Sequence, residues 1–99
     1  MALVMDPAGD EIKALKRVVK WQGSDVLEVG CGDGRLTLRL AGFGPAAIIG
    51  IDPGAQSIRT ARRNMPKRLA DKIGYHVGQA ERLKFSSSRF DLVVFSWVL

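Results

Sequence analysis

The residues best placed to do chemistry in this chain are a carboxylate, three glycines and a second carboxylate: Glu28, then Gly30, Gly32 and Gly34 at alternate positions, then Asp52. With one histidine, His76, and one cysteine, Cys31, the sequence offers no Ser/His/Asp arrangement, no thiolate metal cluster and no internal disulfide. It also lacks paired carboxylates suited to hydrolysis. What the glycines offer is backbone: stripped of side chains, the chain can turn tightly beneath a ligand, and the N–H groups that open the following helix are free to face it. The chemistry is that of holding a nucleotide cofactor.

Those residues need particular elements around them. Val26, Leu27 and Val29 supply the apolar and β-branched bulk of a buried parallel strand that runs straight into the loop, and Arg35 to Leu40 is a short helical pattern leading out of it. A second, wholly apolar strand, Ala46 to Ile51, ends at Asp52, 18 residues beyond Gly34. That is close to the spacing at which an acid at the tip of a second strand accepts hydrogen bonds from both ribose hydroxyls of an adenosine. Asp52 also stands ahead of Pro53-Gly54 and a further helical pattern, where a helix cap is the structural alternative. The two roles are compatible. A dinucleotide fingerprint, G-x-G-x-x-G/A, would put a small residue at position 35, which is Arg35.

With its flanks, the stretch DVLEVGCGDG, Asp25 to Gly34, resembles motif I of the class I S-adenosylmethionine-dependent methyltransferases, and the resemblance extends over nearly the whole chain. It implies a Rossmann-like fold and S-adenosylmethionine as cofactor. Glu28, two positions before the first glycine, would help hold the methionine amino group, with Gly30, Cys31, Gly32 and Gly34 forming the loop beneath it. Asp52 and Pro53 would meet the ribose. Gly78-Gln79-Ala80-Glu81 resembles the family's third cofactor segment, which usually carries an aspartate before the alanine; here Gln79 can accept the adenine amino hydrogen bond without charge. Phe90 to Leu99, FDLVVFSWVL, resembles the fourth motif, after which catalytic or acceptor-shaping residues often follow, so no catalytic residue is assigned. Methyl transfer from a sulfonium expels a neutral thioether and needs mainly in-line placement, which suits a sequence with little acid–base equipment. Cys31, between two glycines, is read as packing rather than as a nucleophile.

The remaining patterns complete an α/β sheet. Ile12, Leu15, Val18 and Val19 recur at helical spacing over Asp6 to Trp21; Ile58, Ala61 and Met65 do so over Gln56 to Met65, until Pro66. Lys67 to Asp71 forms a turn. Ile73, Tyr75 and Val77 alternate as in an edge strand, with His76 on its other face. Counting strands from Val26–Val29, the expected order is 3-2-1-4, a Rossmann-like parallel sheet preceded by a helix. Right-handed crossovers put both connecting helices on one face. The other face is then bare and the strand Phe90–Leu99 is an open apolar edge, so a homodimer through that strand or that face is expected. The family fold has seven strands, and residues 1–99 read as a partial cofactor-binding domain that ends before an acceptor pocket and transfers no methyl group alone. Two other classes stand beside this reading: an interaction or structural fragment with a vestigial loop, favoured by Gln79, and an NAD-type module, opposed by Arg35. The methyl acceptor is not identified.

Composition sets the bounds. A chain of 99 residues, 46% hydrophobic and 25% charged, suits one small soluble globular domain. No apolar run is long enough to span a bilayer, and Met1 to Gly9 lacks a basic n-region and long apolar h-region, which makes the cytoplasm the default location. The net charge of +5 comes largely from Lys13, Lys16, Arg17 and Lys20 and from Arg59, Arg62, Arg63, Lys67, Arg68 and Lys72. Both groups lie on helical patterns, as solvated faces do; such faces attract acidic partners, but no aromatic interleaving indicates nucleic acid.

Overall fold

A computed structural model describes residues 2–5, 20–78 and 89–96. Its centre is a sheet of five parallel strands: β1 (Ala2–Met5), β2 (Asp25–Val29), β3 (Ala47–Asp52), β4 (Ile73–Val77) and β5 (Leu92–Phe95), in the order β1-β5-β2-β3-β4. Helix α1 (Arg35–Ala41) connects β2 to β3, and helix α2 (Ala55–Asn64), followed by a 3-10 turn at Lys67–Leu69, connects β3 to β4. The order of β4, β3, β2 and β5 is the one expected from the sequence.

The fifth strand is a correction. Apolar on both faces, β5 is not an open edge: β1 pairs with it in parallel register, from Ala2 opposite Leu92 to Met5 opposite Phe95. An unpaired strand of this composition exposes a full row of N–H and C=O groups beside apolar side chains, and any extended apolar segment within reach relieves both costs. Ala2-Leu3-Val4-Met5 is such a segment, too short to give a periodic signal. A homodimer through β5 would have to displace it.

Side chains alternate across the sheet. On one face Val26, Ile48, Ile73, Leu92 and Val94 pack against Leu40 of α1, Ile58 and Ala61 of α2, and Trp21. Both helices therefore cover the same face, as right-handed crossovers require. On the other face Leu27, Val29, Ile51 and Val93 are only 2–4% exposed, so the face expected to be bare is buried within a single chain. Of the helix expected over Asp6–Trp21, residues 6–19 lie outside the described residues; Lys20 and Trp21 are not helical.

Gly50, in the middle of β3, has a packing reason. A Cβ there would come within 3.0 Å of the Tyr75 ring and 3.1 Å of the Cys31 thiol, so its bare backbone makes room for both. Tyr75 is locked further by α2, whose Arg62 donates to the Tyr75 carbonyl at 2.6 Å. Val77, expected to face inward with Ile73 and Tyr75, is 55% exposed at the end of β4.

Candidate cofactor site

The chain leaves β2 at Gly30, with φ at 81°, and the loop is tied at once to the next strand: Gly30 and Cys31 N–H groups both donate to the Ile51 carbonyl, at 2.8 and 3.0 Å. Gly34 N–H then donates to the Cys31 carbonyl at 3.0 Å, closing the turn before α1. Within this loop the glycines do different work. A Cβ on Gly32, whose φ is 55°, would meet nothing within 4 Å. One on Gly34, φ 88°, would fall 2.6 Å from the Tyr75 hydroxyl and 3.3 Å from Ala61. Gly32 is thus the open crest of the loop and Gly34 its foot, pressed on the core.

Over the crest lies a cavity of about 340 Å³, inside the range of small-molecule sites. Loop residues 30–33 line it together with Arg35 and Leu36 of α1, Asp52 of β3 and Ser96. Asp52 is bound into the loop it faces: Oδ2 accepts from Gly32 N–H at 3.0 Å and Oδ1 from Gly54 N–H at 2.8 Å. Gly54, not Asp52, is the N-cap of α2, and no side chain caps that helix; Asp52 instead accepts from the cap residue's N–H while it lines the cavity. Arg35 reaches back to pair with Asp33 at 3.1 Å, largely in solvent. Pro53 is exposed beside Asp52. Gln79, Ala80 and Glu81 lie outside the described residues, but Gly78 N–H donates to the Asp52 carbonyl at 3.0 Å, bringing the start of that segment to the same rim.

Glu28 is placed otherwise. It is 0% exposed and does not line the cavity. Its Oε1 accepts from the Thr37 hydroxyl at 2.5 Å and its Oε2 from the Ser96 hydroxyl at 2.7 Å. Burial pushes its carboxyl above the usual carboxylate range, and the two hydroxyl donors oppose that shift. Cys31 is buried in the core, where desolvation, with help from the nearby Glu28 and Asp52 charges, pushes its thiol up to about 12. That suits packing and not nucleophilic use. His76 is exposed on β4.

Thr37 and Ser96 were not among the expected site residues. Ser96 carried a signal of period, continuing the Leu92, Val94 alternation on the helix-covered face, whereas Thr37 was marked only as the one hydroxyl in the α1 sequence RLTLRLA.

The sequence matches the methyltransferase-domain family over residues 26–99, three quarters of the chain and all of the described site. The chain belongs to that family. It is 39% identical over 80 residues to the human mitochondrial ubiquinone biosynthesis O-methyltransferase, covering 78% of this chain and 21% of that protein. Among solved structures it superposes with a TM-score of 0.71 and 26% identity on phosphoethanolamine N-methyltransferase 1 of Haemonchus contortus, in complex with phosphoethanolamine and S-adenosylhomocysteine, over 93% of this chain and 19% of that one. An S-adenosylmethionine-dependent methyltransferase from Mesorhizobium loti shares the fold at a TM-score of 0.72 and 23% identity, over 86% of this chain and 38% of that one. The chain therefore spans less than half the length of the relatives it matches; for an O-methyltransferase of Penicillium expansum the share is 26%. The family's cofactor is S-adenosylmethionine. The site fits such a group: the space over Gly32 is open, and a carboxylate borders it.

Proposed function

We propose that residues 1–99 are the cofactor-binding part of a methyltransferase that acts, in its complete form, on an acceptor still to be identified. The supporting observation is that Asp52 and the open crest at Gly32 border one cavity and are joined by a hydrogen bond. Gly30, Cys31 and Gly32 would lie under the methionine end of S-adenosylmethionine, Asp52 and Pro53 would meet the ribose, and Gln79, Ala80 and Glu81 the adenine. The cofactor, when bound, supplies an electrophilic methyl group whose departure leaves a neutral thioether. What the chain contributes is placement: Asp52 holds Gly32 N–H and so fixes the loop, and its remaining lone pairs are free for hydroxyl donors. Residues 1–99 alone would bind without transferring, and the location would be cytoplasmic.

Calorimetric titration with S-adenosylmethionine, S-adenosylhomocysteine and NAD tests this directly. The first two should bind and the third should not; binding by none would favour a vestigial loop. Asp52→Ala should weaken S-adenosylhomocysteine by about 1–3 kcal/mol, as for a lost charge-assisted hydrogen bond. A dissociation constant unchanged in a folded Asp52→Ala variant would confine Asp52 to the loop and the start of α2.

A further inference from the structure

The charge of this chain is gathered in one place. Residues 55–72, from the start of α2 to the approach to β4, hold six of the fifteen basic residues and one of the ten acidic ones, Asp71, which leaves nine of each sign elsewhere. The whole net charge of +5 therefore belongs to this stretch. Arg59, Arg62, Arg63, Lys67, Arg68 and Lys72 are all exposed, and none of them makes an ion pair with another described residue. Helix α2 contains no acid, and Arg59 and Arg63 stand one turn apart, where like charges repel. The helix dipole favours Arg62 and Arg63 in the last turn and leaves the other four unexplained. Arg62 donates to the Tyr75 carbonyl, so the arginine flank of α2 faces β4, on the side where Lys67, Arg68 and Lys72 connect the two elements. Because α2 runs back against the strand direction, its last turn and that connection lie at the end of the sheet away from Asp52 and the cavity.

We propose that this patch is a docking surface for the phosphate backbone of double-helical RNA. Cations that face water without carboxylate partners are where a polyanion gains most, since each phosphate neutralised releases condensed counterions. A protein or membrane partner fits less well. Protein interfaces centre on buried aromatic and apolar anchors, and interfacial membrane binding sinks an apolar face; among the described residues the exposed large apolar side chain is Val77, at the opposite end of β4 from Lys72. Single strands need aromatic platforms for their bases, which the patch does not offer, whereas a double helix keeps its bases stacked inside and turns its phosphates outward. Beside the arginines, Gln56, Thr60 and Asn64 recur every fourth residue of α2 as a row of neutral hydrogen-bonding side chains. Guanidinium groups for phosphates, next to amides and a hydroxyl for sugars, match the wide minor groove of RNA, where 2′-hydroxyls stand beside the phosphates. Nothing in this surface depends on what the cavity holds.

Fluorescence anisotropy of a labelled RNA duplex of about 20 base pairs, titrated with the 99-residue chain, provides the test. Binding should be present at about 50 mM salt and weaken about tenfold or more by about 200 mM. The double variant Arg63→Glu/Lys67→Glu should weaken binding about tenfold or more, while Lys20→Glu/Arg39→Glu, the same change of charge at exposed positions outside the patch, should stay within about threefold of wild type. The neutral pair Arg63→Gln/Lys67→Gln, which spares the fold a charge reversal, should lose affinity in the same direction by a smaller factor, and thermal melting verifies that each variant is folded. Calorimetric affinity for S-adenosylhomocysteine should be the same in every variant, so a failure of this surface and a failure of the cofactor site are read separately. Equal losses at the two pairs of positions, or no binding at about 50 mM salt, would overturn the proposal. So would a DNA duplex of the same sequence or a single strand bound as tightly, or stronger capture by poly-glutamate or by phosphatidylserine vesicles.

Discussion

Glu28 and Asp52 stand on neighbouring strands, β2 and β3, facing the same side of the sheet, yet one is sealed and the other open. The register explains it. Glu28 pairs with Gly50, so Asp52 lies two residues further along the strand direction, roughly 6–7 Å nearer the rim. At the level of Glu28 the sheet is covered by α1, and Thr37 and Ser96 take the carboxylate oxygens; at the level of Asp52 the cover has ended and the carboxylate borders the cavity. Gly34 and Gly32 repeat the contrast within the loop, one against Tyr75 and one facing open space. The same residue type thus packs into the core at one depth and borders open space at another, and only depth along the chain distinguishes them.

The largest expected effect would break that contrast at the glycines. Gly34→Ala should destabilise the chain by about 2–5 kcal/mol, from a left-handed backbone and overpacking against Tyr75, whereas Gly32→Ala should cost about 1–2 kcal/mol for the backbone alone. Urea unfolding measures both; similar losses would mean that the loop's foot and crest are not separate environments. Gly32→Ala should in addition weaken S-adenosylhomocysteine, since its methyl enters the cavity.

A smaller effect distinguishes the two carboxylates by pH. A buried acid whose folded pKa is raised binds its proton more tightly in the native than in the unfolded state, so it lowers stability as pH rises from its unfolded value near 4.5 through its native one. Its contribution is most favourable in acid and declines upward, opposite to that of a salt-bridged surface carboxylate. The wild type should therefore lose stability relative to Glu28→Gln as the pH is raised from 4 to 8. Parallel denaturation profiles across that range would count against the sealed environment of Glu28.

The smallest effect concerns Cys31, whose thiol packs against Gly50. With its thiol buried and pushed up to about 12, iodoacetamide should label it slowly in the native protein at pH 8 and readily in denaturant. Fast native labelling would show that the loop around Cys31 opens more often than its packing suggests.

Much of this architecture was legible in the sequence because it rests on local patterns. The β2 strand, α1, β3, α2 and β4 fall within a residue or so of their expected bounds, since apolar runs, helical periods and glycine or proline breaks are properties of neighbouring residues. Gly30, Gly32 and Asp52 come together as their spacing implied. The β1 strand was not legible, because four apolar residues declare themselves a strand only when β5 offers an edge some ninety positions away. The burial of Leu27 and Val93 was missed for a related reason: whether a face is covered depends on segments remote in sequence.

What the sequence determined by itself is the layout: an apolar strand, then a glycine turn, with acids at two strand ends. What the tertiary structure decided is which acid borders the cavity. Motif position marks Glu28 and Asp52 alike, but depth in the sheet is set by the β2–β3 register and by where α1 lies over it. Those two facts turn Glu28 inward to Thr37 and Ser96, and leave the cavity to Asp52 and a serine 68 residues beyond Glu28.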